Sequence, residues 1–558
     1  MKRRIVIAAL LLTLLTACLP AQAAKTNPQL WISPDGEAST AAIFWYAYDK
    51  NTYYLFLPAN LDLAAAKIGY SDIQQLKITK PEQTIAAGDS AKVFDVGEYI
   101  LSIDGKKRTL RVMRGSSGFP ALYITTESGS LSYIHKSKEN REAGTLVFVG
   151  PDGRVQYDGA LEHIKCRGNS SMTFAKKNYQ IKLRTGTNLM GMGKSRKWIL
   201  TSNYRDKSLL RNQIVYDTAD YMRMAYTPEH ISAEVYINHE YQGVYLFSEK
   251  IEIDDDRIAI TDLEKATEAL NDEPLSEYPV TGSKTSVKGQ YKARAIPAEP
   301  EDITGGYLVE FESYPVRYKQ EISAYTTLKG NILVAKSPEY ASDAQMHYIS
   351  SRLQAFENAI FAKDGRDEKT GLHYTEIVDL RSLVYKYLIE EFSKNYDGNT
   401  SSMYFYKPAD SVSTLFFAGP AWDYDSTFGS YAQQHNAKSV LSGKGLWIAT
   451  ATGGKFWWPA LYRQSDFLEA VRSAWAEDLK PAMEILLGMR EAPEGSALKS
   501  LDAYAEMIRD SSAMNDLRWP RPKRPSTVAN TGNTLDANID YLRTFITDRY
   551  TFFCGLWD

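Results

Sequence analysis

The spacing of the apolar residues changes period near residue 340, which limits the chain to folds that place strands first and helices after. Upstream, β-branched and aromatic residues come in short runs, such as 42–46, 53–57 and 109–113, broken by Asp, Asn, Gly and Pro. Downstream, Met346, Ile349, Leu353, Phe356 and Ile360 step by three and four along one helical face. Strand runs followed by helical runs read as an α+β chain. Its 558 residues exceed what one apolar core serves, so two or three domains are expected.

Residues 25–118 carry only short strand runs and read as a β-sandwich-like domain without a catalytic constellation. Residues 119–340 mix strands (121–125, 145–149, 179–183, 233–237, 243–247 and 307–311) with a helix over 209–222. Within them the polar stretch 262–305, interrupted by Pro274, Pro279, Pro297 and Pro300, reads as a long loop. In residues 341–558, Asp379 is placed to cap a second helix bearing Leu383, Val384, Tyr387, Leu388 and Phe392. Apolar runs at 403–406 and 415–418 predict a hairpin, and residues from about 456 onward read as helical around a proline-rich stretch at 519–525.

Lys2, Arg3 and Arg4 precede an apolar run over 5–15, too short to span a membrane, so residues 1–23 read as an export signal. Two cleavage readings stay open. Leu15-Thr16-Ala17-Cys18 fits a lipobox, giving a surface lipoprotein whose contact with a membrane is the lipid on Cys18. Ala21-Gln22-Ala23 fits an ordinary signal-peptide site, giving a secreted protein. Both place the protein outside the cytoplasm. Cys166 and Cys554 could then pair or stay two separate thiols, and nearly 400 residues between them favour the thiols. A net charge of −3 carries no nucleic-acid footprint.

The chemistry concentrates between 379 and 429. A helix ends at Asn395, Asp397 follows in a turn, Ser402 stands five residues later, and the hairpin leads into Trp422-Asp423-Tyr424-Asp425. Phosphoryl transfer uses this order of parts: a carboxylate for the acceptor hydroxyl, a polar metal ligand five residues on, and a second carboxylate after a hairpin. Asp423 and Asp425, spaced i and i+2, share one face of an extended segment and offer hard oxygens suited to Mg²⁺. The plain alternative is two surface carboxylates in a turn. Gly191-Met192-Gly193-Lys194-Ser195 lacks the first glycine of a P-loop, and the seven His show no zinc spacing.

Several strings, in order over about 120–430, resemble the spore-coat protein H (CotH) kinase-like family of secreted or surface-attached proteins. They are Cys166-Arg167-Gly168-Asn169-Ser170-Ser171, Lys176-Lys177-Asn178-Tyr179, Asn203-Tyr204-Arg205-Asp206, Leu210-Arg211-Asn212, Gln242-Gly243-Val244-Tyr245, Glu249-Lys250, Gly306-Tyr307-Leu308-Val309-Glu310 and Gly419-Pro420-Ala421-Trp422-Asp423-Tyr424-Asp425. The resemblance implies a two-lobed, kinase-like domain, its N-lobe and inserts over 119–340 and its helical C-lobe over 341–558. It implies an ATP-dependent, Mg²⁺- or Mn²⁺-dependent transferase. In it Asp397 is the base, Asp423 the main metal ligand, Asp425 its assistant, and Ser402 the weaker replacement for a kinase asparagine. Arg167, Ser170 and Ser171 would form a phosphate-side loop.

Strand parity places Lys177 with Tyr179, Ile181 and Leu183 on an inward face, which favours it over Lys182 as the phosphate lysine. Glu249 and Glu310 would pair with that lysine, bind metal, or form structural ion pairs. Asp206 and Arg211 would cap a helix or support the site, and Trp422 would pack or stack on adenine. The expected acceptors are Ser, Thr or Tyr hydroxyls of surface or secreted proteins. Two other readings are a non-catalytic adhesion protein of the same fold and transfer to a glycan or small molecule.

Overall fold

The computed structural model describes residues 28–282, 287–312, 323–431, 437–520 and 532–558. The expected export signal over 1–23, with Cys18, lies outside these residues, as does most of the proline-rich 519–525. The chain is α+β, with its strands mostly before residue 340 and its long helices after it.

The first strands form two sheets. One has three strands, Ile43–Phe44, Gln29–Ser33 and Lys67–Ser71. The other has six, Tyr46–Ala47, Thr52–Leu57, Lys106–Arg114, Gly97–Ile103, Leu76–Thr79 and Glu82–Ile85. The apolar run 42–46 is split between them at the buried Trp45. Leu30, Ile32, Leu55, Leu57, Ile68, Leu110 and Val112 share one core, which continues into Tyr236, Tyr241 and Met514 of later elements.

A closed barrel follows, from β1 (Ala121–Thr126), β2 (Glu142–Val149), β3 (Val155–Arg167), β4 (Asn178–Asn188), β5 (Lys194–Thr201), β6 (His230–Ile237) and β7 (Glu240–Glu249). The order is β1-β2-β3-β4-β5-β7-β6, and β6 closes the ring parallel to β1. Period-two alternation sends Leu122, Ile124, Phe148, Ile164, Tyr179, Ile181, Leu183, Trp198 and Phe247 into the lumen, which they fill. Residues of opposite parity on β3, β4 and β5 face outward. Helix α1 (Arg211–Tyr221) lies between β5 and β6.

A seven-stranded sheet packs beyond the barrel, built from β8 (Val280–Gly282), β9 (Gln290–Arg294), β10 (Tyr307–Glu312), β11 (Ala324–Thr326), β12 (Ile332–Ser337), β13 (Ser401–Lys407) and β14 (Phe417–Ala418), in the order β8-β9-β11-β12-β10-β13-β14. The stretch 262–305 is therefore not one loop. It contains the helix Leu263–Glu268 and the hairpin β8–β9, short strands whose apolar residues are too few to outweigh the surrounding prolines in the sequence pattern.

Helix α2 (Asp343–Phe361) starts at a capping box made by Ser342 and Gln345, and α3 (Leu380–Ser393) starts where Asp379 accepts from the Ser382 amide. The predicted hairpin is β13 paired antiparallel with β14. Helices α4 (Leu501–Arg518) and α5 (Leu535–Trp557) complete a helical end whose core is continuous with α1, α2, α3 and the sheet. Cys166 is buried in the barrel and Cys554 lies on α5, and neither is in a disulfide. Among the described residues no helix is long and apolar enough to cross a membrane.

Candidate active site

The outer face of the barrel and the seven-stranded sheet enclose a cleft of about 1260 Å³. Its barrel side carries the turn from β3 to β4. Gly168 takes φ +88°, and a β-carbon there would collide with the Ser171 hydroxyl, which donates to the Arg167 carbonyl at 3.1 Å. Only glycine suits this backbone. Arg167, Ser170 and Ser171 all line the cleft, and the Ser171 hydroxyl also shapes the turn.

At the other side, α3 ends on Lys394 in the left-handed conformation (φ +47°), its ammonium held by the carbonyls of Ser439 and Lys444 at 2.9 and 2.7 Å. The chain then turns sharply. The Asp397 amide donates to Asn395 at 3.1 Å, and the Asp397 carbonyl accepts from the Thr400 and Ser401 amides at 2.7 and 3.0 Å. This aims the Asp397 side chain at the cleft without a helix to hold it. Ser402 (φ +57°) and Asp423 (φ +66°) also sit in the left-handed region, and the Ser402 hydroxyl donates to Asp423 at 3.3 Å. Such backbone costs on the order of 1 kcal/mol per residue and persists only where surroundings impose it. Burial pushes the Asp425 carboxyl up to about 7, with the nearby charges of Asp423 and, less, Asp397 adding to the rise. All three carboxylates line the cleft.

Helix α1 holds the acidic segment in place. The Asn212 side chain accepts from the Tyr424 amide at 2.7 Å and donates to Asn203 at 2.9 Å, and the Tyr216 hydroxyl accepts from the Asp423 amide at 3.4 Å. Arg211 donates to the Thr427 carbonyl at 3.0 Å and forms a fully buried ion pair with Asp206, which also accepts from the Arg211 amide at 2.7 Å. Asp206 and Arg211 thus do both things considered for them: they start the helix and tie it to the acidic segment. From behind, the Tyr424 hydroxyl donates to Glu390 at 2.8 Å and accepts from Lys386 at 2.9 Å.

The cleft also carries basic side chains, several of them paired with acids. Lys165, Arg167, Lys197, Lys250 and Lys336 line it. Glu252 joins Lys197 and Lys250 at 2.7 and 3.1 Å, and Glu310 stands 3.7 Å from Lys336. Lys177 does not line the cleft. Its parity is inward as expected, but the inward face is the filled barrel core, and its ammonium donates to the Met172 carbonyl at 2.7 Å. Lys182 pairs with Glu162 at 2.7 Å. Glu249 pairs with Arg257 at 2.5 Å outside the cleft, and burial pushes its carboxyl up to about 7. Glu310 does face the cleft. Trp422 lines the cleft but is only 7 % exposed, covered by the Arg167 guanidinium at 5.1 Å and by the Tyr216 ring at 6.4 Å.

Sequence reasoning missed Lys165, Lys197, Lys250, Glu252, Lys336, Asn212 and Tyr216. A signal for Lys165 and Arg167 was present, since they flank Cys166 with parity opposite to the apolar Ile164 and Cys166. Among the described residues no three His, Cys, Asp or Glu side chains form a metal cage by themselves. Asp423, Asp425 and Ser402 are instead a partial set of hard oxygens, which suits Mg²⁺ sharing its coordination with phosphate and water.

A protein-family model described as CotH kinase protein matches residues 164–553, a span that takes in both walls of this cleft. No curated protein matches the chain. The chain belongs to the CotH kinase family.

Proposed function

We propose that this CotH-family protein is an exported, ATP-dependent phosphotransferase that moves the γ-phosphoryl group to hydroxyls of surface or secreted proteins. The barrel and the helical part are read as the two lobes of a kinase-like domain. The observation that carries the reading is one cleft lined by Asp397, Asp423 and Asp425 together with Lys165, Arg167, Lys250 and Lys336. Asp397 accepts the proton of the acceptor hydroxyl. Asp423 and Asp425, with Ser402, would hold Mg²⁺ (or Mn²⁺), which when bound supplies charge neutralisation at the phosphates. Lys165 and Arg167 are assigned the phosphate role given to Lys177 from strand parity, with the Gly168 turn and Ser170 beside them. Glu310 positions Lys336, and Glu252 positions Lys197 and Lys250.

The test is transfer from γ-labelled ATP with Mg²⁺ or Mn²⁺, wild type beside Asp423→Ala. The expected result is label on protein in the wild type and loss of at least about 100-fold in the variant, the size of effect that one preorganised charge contributes. Equal labelling of both proteins removes Asp423 from the site. No label and no ATP-dependent thermal stabilisation in the wild type overturns the reading.

A further inference from the structure

Arg205 lies in the turn between β5 and α1 and lines the cleft. Its guanidinium is held between two rings, Phe174 at 4.5 Å and Tyr431 at 4.9 Å. The rings come from opposite sides: Phe174 from the turn that follows Gly168, Tyr431 from the chain just after the acidic segment. Tyr431 in turn packs edge-on against Tyr396, next to Asp397, at 4.7 Å. Among the described residues the guanidinium makes no hydrogen bond and no ion pair. The two ring contacts hold the group in place and leave its N–H donors unspent. The backbone beneath it is anchored, because the next residue, Asp206, is buried in the pair with Arg211.

A planar, ring-held cation with free donors is what a transferring phosphoryl group requires, because its charge spreads over three equatorial oxygens. We propose that Arg205, clamped by Phe174 and Tyr431, is a catalytic residue that donates to the phosphoryl group in transit. This rests on the phosphotransferase reading. In the step it serves, the acceptor oxygen bonds to the γ-phosphorus while the bond to the β,γ-bridging oxygen breaks. The electrons of that bond leave with ADP, and the acceptor proton passes to Asp397. The simpler role for Arg205, a diffuse counter-charge for Asp425, needs charge but not a planar fork, so Lys would serve it as well.

The experiment compares wild type, Arg205→Ala and Arg205→Lys on the full exported chain, after unfolding curves show that each variant is folded. Two readouts are taken: transfer from ATP, and thermal stabilisation by MgADP with and without aluminium fluoride, a mimic of the phosphoryl group in transit. The expected result is a fall in kcat of about 100- to 1000-fold in Arg205→Ala with KM for ATP within about threefold, and recovery of under about tenfold by Lys. The MgADP shift should persist while the extra shift from aluminium fluoride disappears in both variants. Added guanidinium should restore part of the Arg205→Ala rate. Near-wild-type kcat in Arg205→Ala, full rescue by Lys, or an intact aluminium fluoride shift overturns the assignment and leaves the enzyme reading standing. A wild type that neither transfers phosphate nor is stabilised by nucleotide overturns both.

Discussion

Glu249 illustrates how one side chain can look functional in sequence and prove structural in space. It ends a barrel strand beside Lys250, yet its carboxylate turns away from the cleft to Arg257, and burial outweighs that partner in setting its proton affinity. A carboxyl whose folded value, about 7, lies above its ordinary 4.5 is protonated in the folded state over a window where the unfolded chain has already released the proton. Stability therefore falls as pH rises from about 4.5 to 7 and levels off above. Glu249→Gln should remove that slope, on the order of 2–3 kcal/mol across the window, and urea unfolding at several pH values checks it. Parallel slopes in the two proteins would show that the carboxyl does not hold its proton. The same scale shows what the sequence could carry. Asp397, Ser402, Asp423 and Asp425 stood out by their order along the chain, and all four line the cleft. Lys177 was misjudged because parity gives a face but not what that face encloses, and a closed barrel turns the inward face into core.

At the scale of elements, α1 is the part that makes the acidic segment a site. Its apolar residues were readable by their spacing, and its boundaries came out within two residues. Its polar residues did the unreadable work: Asn212 and Tyr216 take amides from Tyr424 and Asp423, more than 200 residues away, a pairing that no local pattern encodes. Asn212→Ala leaves the buried Tyr424 amide without its acceptor, at a cost of about 1–3 kcal/mol. Part of that cost should appear in catalysis, as a fall of about 10- to 100-fold in transfer rate beyond the loss of stability seen in urea unfolding. An unchanged rate would mean that the acidic segment keeps its position without α1. Helices with strong caps, such as α2 and α3, were legible from Ser342 and Asp379, whereas β8 and β9 were not, because strands of three and five residues are specified by the sheet they join.

Across the whole molecule, the cleft is assembled from sequence-distant parts tied by buried polar links. Arg549 on α5 pairs with Glu391 on α3 at 2.9 Å, both fully buried, while Glu391 also takes the amides of Trp447, Ile448 and Ala449. On the barrel side, the fully buried Lys176 donates to the Ser202 carbonyl at 3.0 Å and to Asn515 on α4 at 2.9 Å, so the last helices brace the turn that carries Arg167. Breaking one partner of such a link is costly, which makes the two sides of the cleft a coupled frame rather than separate modules. On that frame we assign distinct tasks, with nucleotide held by the basic side chains of the cleft and the acidic pair, and the proton taken by Asp397. The most direct test separates them in Asp397→Asn, which keeps shape and hydrogen bonding but cannot accept the proton. The expected result is MgATP binding within about threefold of wild type by calorimetry and a fall in single-turnover phosphoryl transfer of about 100-fold or more. Transfer at the wild-type rate in Asp397→Asn would contradict it.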